Sequence, residues 1–269
     1  MLVIFAAWLT SSIAVIPRIE IGLDQEIAMP DHSDVLKYFT HLKSYLSVGP
    51  PVYFVLNNSN HQLDLTKPEI QNKICGGQGC NGDSLQSQIK LWSKKPHITY
   101  IGSPAQSWID DYFGWSKDCC QAFKADGEFC PSGYVDPTND QAGDYGDYGD
   151  YGDFSSSDDS KGCEPCPTRK KSRPDAEAFE NYIQWFLSDV PGTACPKAGK
   201  AAYSDAVRTG LNQSRAVVGP NNFFAFHTVL KTSEDYYEAL RWARRLAQNI
   251  TDMINRDEPG KQHCWDVRS

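Results

Sequence analysis

PVYFVL, residues 51–56, is the stretch on which the fold turns, because its unbroken run of β-branched, aromatic and aliphatic side chains predicts a buried strand. Upstream, Ser33 can cap a helix in which Val35, Phe39, Leu42 and Leu46 form an apolar stripe, and Gly49 and Pro50 end it. RIEIGL (18–23) alternates and predicts another strand, so the opening is strand, helix, strand. A weaker round follows: a helix over 84–92, the strand HITYIG (97–102), and a helix capped by Ser103 with Pro104 at its first position. Near the end, AAYSDAVRT (201–209) and NNFFAFHTVL (221–230) predict strands. The second runs into a helix capped by Thr232 or Ser233, where Tyr236, Leu240, Ala243, Ala247, Ile250 and Ile254 repeat along one face. This order is that of an α+β sandwich, with helices on one face of a mainly antiparallel sheet.

The 269 residues are 40% apolar, enough for a real core. Eight of the 34 acidic side chains fall between Pro131 and Ser160, where there is no Lys, Arg or Glu, and the rest of the chain balances at 26 against 26. That balance excludes a general nucleic-acid surface. The one dense basic patch, TRKKSRP (168–174), follows the acidic segment directly and reads as its compensation. Nine cysteines and three glycosylation sequons, at Asn57, Asn212 and Asn249, place the chain in an oxidising lumen or outside the cell. The uncharged start MLVIFAAWLTSSIAVI fits a signal peptide, with cleavage after Ala14, and a truncated membrane span equally well.

From Ser116 to Lys200 the periodic pattern gives way to an excursion that holds most of the cysteines and one helix, AFENYIQWFLSD. Within it GDYGDYGDYGDF (143–154) is of low complexity, and its charge and glycine content predict a disordered loop.

Candidate chemistry is sparse. Asp110 and Asp111 sit beside the stripe Trp108, Ile109, Tyr112 and Phe113, and helical neighbours diverge by about 100°, so the two acids read as solvated residues near a helix start rather than a catalytic dyad. Gly77, Gly79 and Gly82 match G-x-G-x-x-G, yet no acid stands about twenty residues on, and Cys75 and Cys80 would pinch the loop shut. Cys163 and Cys166 could form a redox pair or, with Cys119, Cys120 and Cys130, a zinc site. Disulfides explain the vicinal Cys119 and Cys120 better, because adjacent α-carbons lie about 3.8 Å apart and each sulfur must look elsewhere for a partner. His227 falls inside a predicted strand and reads as a packed residue, while Arg241, Arg244 and Arg245 read as the wet face of the last helix. There is neither a G-x-S-x-G elbow nor an H-E-x-x-H motif, so no enzyme and no cofactor is expected.

In the order IGLDQEIAMPD, GPPVYFVL, CGGQGCNGDSL, SWIDDYF and FHTVLKTS, the chain resembles the third luminal domain, the cysteine-rich one, of the Niemann-Pick type C1 sterol transporter family, from about residue 3 to residue 254. The resemblance implies a ferredoxin-like α/β sandwich of the kind found in resistance-nodulation-division permeases, with the cysteine-rich region inserted. It also implies the pairs Cys75–Cys80, Cys119–Cys195, Cys120–Cys166 and Cys130–Cys163, and favours a truncated membrane span at the start. The implied function is passage of sterol (cholesterol) from a Niemann-Pick type C2-like carrier through luminal domains to the late endosomal or lysosomal membrane, or to the plasma membrane of absorptive cells. The implied partners are sterol, the other luminal domains and the membrane bundle, with no catalytic residue and no assigned sterol-binding residue. The alternative is a secreted disulfide-rich binding module without transport.

The expected organisation is the end of a span at 1–17, luminal α/β domain at 18–115 and 201–254, the insertion at 116–200, and a divergent polar tail at 255–269. Three features depart from the family's pattern. The GDY tract has no counterpart, and its Tyr145, Tyr148 and Tyr151 are candidates for sulfation. The family's closing strand is absent after Ile254, which predicts an open sheet edge, and Cys264 lacks a family partner. A fragment or an incorrectly joined gene model is expected on these grounds.

Overall fold

The computed structural model describes residues 2–16, 29–30, 32–45, 48–58, 63–134, 162–170, 173–212, 215–256 and 267–268. RIEIGL, the GDY tract with its tyrosines, and Cys264 lie outside them. The apolar start forms α1 (Leu2–Val15), whose residues are exposed from Val3 onward. At about 1.5 Å per residue it is roughly 21 Å long, and among the described residues no helix is long and apolar enough to cross a membrane. Next comes α2 (Asp34–Tyr45), where Ser33 Oγ accepts from Val35 N at 3.2 Å.

PVYFVL forms β1 (Pro51–Leu56), and its alternation puts Val52, Phe54 and Leu56 into the core and Tyr53 and Val55 outside. The chain continues through α3 (Pro68–Ile74), α4 (Leu85–Ser93), α5 (Pro96–Thr99), α6 (Trp108–Asp118) and the ribbon strands β2 (Gln121–Phe123) and β3 (Cys163–Pro165). It then passes through α7 (Ala176–Ser188), α8 (Lys200–Tyr203), β4 (Val207–Asn212), β5 (Arg215–Phe226), α9 (Ser233–Arg256) and β6 (Val267–Arg268). The main sheet runs β4-β5-β1-β6 with every neighbouring pair antiparallel, and Phe54 stands opposite Phe223. One core spans sheet and helices, from Phe54, Leu56 and Phe223 to Trp108, Tyr112, Phe179 and Phe186, and on to Leu246 and Ile250 of α9.

Several expectations are corrected. HITYIG is not a strand: Pro96 opens the short α5, Tyr100 closes it at φ 58°, and only Ile101 bridges to His227. Ser103 is not a helix cap, because residues 101–106 run along the edge of β5: Gly102 N donates to Phe226 O at 2.8 Å, and Ser103 Oγ accepts from Phe226 N. α6 opens instead at Ser107, whose hydroxyl accepts from Asp110 N. The first half of AAYSDAVRT is the helical turn α8, which delivers the Tyr203 ring against Phe186. On α9 the buried stripe is Ala239, Ala243, Leu246, Ala247, Ile250 and Ile254, whereas Tyr236 and Leu240 are exposed one face over. The edge of β1 is not fully open, since Val267 and Arg268 of β6 pair with Leu56 and Val55. Two residues are too few to show a period in sequence.

Among the described residues four disulfides join Cys75 to Cys80, Cys119 to Cys195, Cys120 to Cys166 and Cys130 to Cys163. By chain entropy the bridge of sequence separation 76 stabilises by about 4.5 kcal/mol and the one of separation 5 by about 2. The excursion is no satellite: Phe179, Ile183 and Phe186 of α7 and the sulfurs of Cys119, Cys120, Cys166 and Cys195 all belong to the common core.

Candidate functional site

The outward side chains of β1 and β5 meet on the sheet face away from the main core. Tyr53 lies 5.3 Å from Phe224, and Phe224 lies 4.6 Å from Phe226, centroid to centroid. Tyr53 is 49% exposed and Val55 37%, so this aromatic row faces open space. Beside it lies a half-open hollow of about 360 Å³, lined by Tyr53, Phe224, Asn222, Gln106, Tyr203 and Asp205 among others. The backbone shapes its wall: Gln106 N donates to Phe224 O at 2.7 Å and Asn222 N to Ala206 O at 2.9 Å. Burial, and then the hydrogen bond to Asp111, pushes the Tyr203 phenol far above its ordinary range, so it stays a neutral hydroxyl. The hollow offers apolar contact with a polar rim, a means of binding rather than of bond breaking.

The two neighbouring acids diverge as their helical spacing requires, but neither is merely solvated. Asp110 accepts from Gly76 N at 2.9 Å and from Gly77 N at 3.0 Å, which fixes the glycine-rich loop, while Asp111 accepts from the Tyr203 hydroxyl. Gly79 adopts φ 84°, and Gly82 lies in open space. The loop is a disulfide turn held by a carboxylate, which takes the Gly76 and Gly77 amides that a phosphate would need.

Cys163 and Cys166 do not bond to each other; they reach Cys130 and Cys120 respectively. Among the described residues the one cluster with metal-ligand spacing is Cys75, Cys80 and Asp110, and its two sulfurs are already joined. His227 is buried, with Nδ1 2.9 Å from Tyr100 O. A carbonyl only accepts, so Nδ1 carries the proton, and desolvation outweighs this bond to hold the imidazole below its usual pKa. Arg241 pairs with Glu238 at 3.1 Å and Arg244 is exposed, but Arg245 lies 4.7 Å over the Trp242 ring and is not simply wet. Asn249 is exposed on α9, Asn57 follows β1, and Asn212 ends β4.

Two polar anchors went unread in the sequence. Arg173 belongs to the basic patch taken as compensation for the acidic segment, yet its guanidinium turns inward. Its Nη1 donates to Asn72 Oδ1 at 2.6 Å, its Nη2 to Gln78 O at 3.3 Å, and the group lies 5.2 Å from the Phe113 ring centroid. Asn58 is buried, donating to Leu63 O and Val218 O and accepting from Leu63 N. Its place in the sequon hid this packing role, and no short pattern separates the two.

No protein-family profile matches the chain. It is 41% identical over 251 residues to "NPC intracellular cholesterol transporter 1" of Sus scrofa, covering 92% of this chain and 18% of that protein. It is 38% identical over 256 residues to "NPC intracellular cholesterol transporter 1 homolog 1b" of Drosophila melanogaster, covering 94% and 18%. It is 33% identical over 295 residues to "NPC1-like intracellular cholesterol transporter 1" of Homo sapiens, covering 99% and 20%. The chain therefore spans about a fifth of the length of these relatives.

Proposed function

The chain belongs, over the segment aligned, to the family of NPC intracellular cholesterol transporters, and from that premise we propose that it is a luminal, non-enzymatic domain that walls the sterol's route. The observation that carries the reading is the 41% identity sustained over 92% of the chain, and the outward aromatic face of exposed Tyr53 and half-buried Phe224 and Phe226 supports it. A wall needs a rigid plate with an apolar outer surface for a neighbouring domain. The four-strand sheet, backed by one core and four cross-links, is such a plate.

In this reading α1 is the end of a membrane span, residues 18–115 and 201–254 are the luminal sandwich, and 116–200 is its inserted part. The sandwich is of the ferredoxin-like, permease type; the succession of α2, β1, β5, α9 and β6 supports this. The aromatic face packs on another luminal domain, a soluble sterol carrier delivers the cargo, and the compartment is the late endosome or lysosome. Asn57, Asn212 and Asn249 carry glycans.

The test is a chimera in which residues 18–254 replace the aligned segment of the Sus scrofa relative, expressed in cells that lack their own transporter. Clearance of stored sterol is expected, together with a mass loss on enzymatic deglycosylation. A chimera that reaches the same membrane and clears nothing overturns the reading.

A further inference from the structure

The shortest disulfide loop differs from the other three in its electrostatic surroundings. Arg173 Nη2 lies 3.5 Å from Cys75 Sγ and 3.5 Å from Cys80 Sγ, so one guanidinium hydrogen-bonds both sulfurs. A cation at that distance does little for a disulfide but stabilises a thiolate, and a stabilised thiolate is the better leaving group. Asp110 opposes it, with a carboxylate oxygen within 4.8 Å of both sulfurs, but its charge is already shared by the Gly76 and Gly77 amides. The guanidinium donates directly to both sulfurs, whereas the carboxylate's hydrogen bonds go to those amides, so the cation prevails.

Access selects the sulfur attacked. Cys75 is wholly buried, whereas Cys80 is half-buried at the end of the exposed residues 76–79. The one comparably accessible sulfur among the other bridges is Cys163, and its partner Cys130 has Sγ 3.8 Å from Pro131 O, an oxygen that disfavours a thiolate. We propose that Cys75–Cys80 is a thiol-exchange site for small thiols of the glutathione class. The incoming thiolate attacks Cys80 Sγ and forms a mixed disulfide there. The Cys75–Cys80 bond breaks, and its electron pair leaves on Cys75 Sγ beside Arg173. A second thiol then attacks the adduct, giving the Cys80 thiolate and the oxidised reagent, with Cys75 and Cys80 reduced by two electrons.

Opening the bridge frees residues 76–79 from their closure and lets Cys80 Sγ swing away from Arg173, while the Cys75 thiolate stays beside it. Arg173 also reaches Asn72 and Gln78, so it joins the inserted segment to the turn between α3 and α4. The exchange therefore loosens one seam of the fold and leaves the three bridges of the excursion intact.

The test uses the full unreduced chain, with free thiols first blocked by iodoacetamide. It is exposed to rising concentrations of reduced glutathione, quenched with N-ethylmaleimide and mapped by peptide mass. Glutathione on Cys80 and maleimide on Cys75 are expected before any other bridge opens. Arg173→Gln should slow this step about fivefold, while Arg173→Lys keeps the rate within about twofold. Earlier opening of another bridge, an adduct on Cys75, or an unchanged or faster rate in Arg173→Gln overturns the proposal. The order of opening and the adduct's position are read on the unsubstituted chain, so they stand whatever the variants do to folding.

Discussion

Asp189 accepts the indole Nε1–H of Trp115 at 2.7 Å, and both side chains are buried within the core. The same carboxylate accepts from Ser132 N at 3.1 Å and from the Ser132 hydroxyl, so one acid at the end of α7 gathers α6 and the start of the excursion. Losing it strands the buried indole donor of Trp115 and two half-buried donors of Ser132, and a buried unpaired donor costs about 1–3 kcal/mol. Asp189→Ala should lower stability by about 3 kcal/mol or more in chemical denaturation and shift Trp115 fluorescence. Asp189→Asn, which keeps an acceptor oxygen, should cost less. Equal effects of the two would show that the acceptor count does not matter here.

His227 makes stability depend on acidity. Its folded pKa is depressed, first by desolvation, while the unfolded imidazole titrates near its usual value of about 6.5. Above that value both states are neutral and the group contributes no pH slope. As pH falls below it, the unfolded chain binds a proton that the folded chain refuses, and stability declines until the folded pKa is passed. Denaturation between pH 7 and pH 5 should show a slope of at most about 1.4 kcal/mol per unit from this residue. His227→Gln, which can still donate to Tyr100 O, should flatten that part of the profile. An unchanged slope would assign it to other groups.

The elements that the sequence made legible are those where one physical signal dominates. β1 is written in its β-branched and aromatic run, and α9 in the Thr232 cap and the apolar repeat that follows it. The misread places are those where tertiary contacts override local signals. Ser103 and Pro104 look like a helix start, but the hydroxyl and neighbouring amides are taken by Phe226 across 123 residues of sequence. Tyr236 and Leu240 fit a heptad that the true 3.6-residue period leaves on the neighbouring face. The hollow beside Tyr53 and the inward turn of Arg173 depend on segments distant in sequence, and no local pattern carries them.

Gly49 marks the closest backbone approach in the sheet region. A Cβ there would stand 1.8 Å from Thr228 O and 2.7 Å from His227 O, while Gly49 N donates to His227 O at 3.1 Å. The obstacle is main chain on both counts, so no rotamer change relieves it. Gly49→Ala should destabilise by about 3 kcal/mol or more, with β1 pulled from β5 at its first pair, Pro51 and Phe226. Gly82→Ala is the control: nothing lies within 4 Å of its Cβ position, and its effect should stay within about 0.5 kcal/mol. Thermal melts of the two variants decide whether this crossing is as tight as its distances require.

The long cross-link carries the last prediction. Cys119 ends α6 and Cys195 lies seven positions beyond Ser188, the last residue of α7, so their bridge closes the whole excursion against the sandwich. Both cysteines are buried, and the double change Cys119→Ala with Cys195→Ala removes the loop constraint worth about 4.5 kcal/mol, besides some packing. The equivalent double change at Cys75 and Cys80 removes about 2 kcal/mol. The ranking follows from loop length, because in the chain-entropy account a bridge acts by restricting the unfolded chain. Urea denaturation of the two double variants should therefore place the first well below the second. If the short loop proved the more costly to open, its hydrogen bonds to Asp110 and Arg173, not chain entropy, would be the larger contribution.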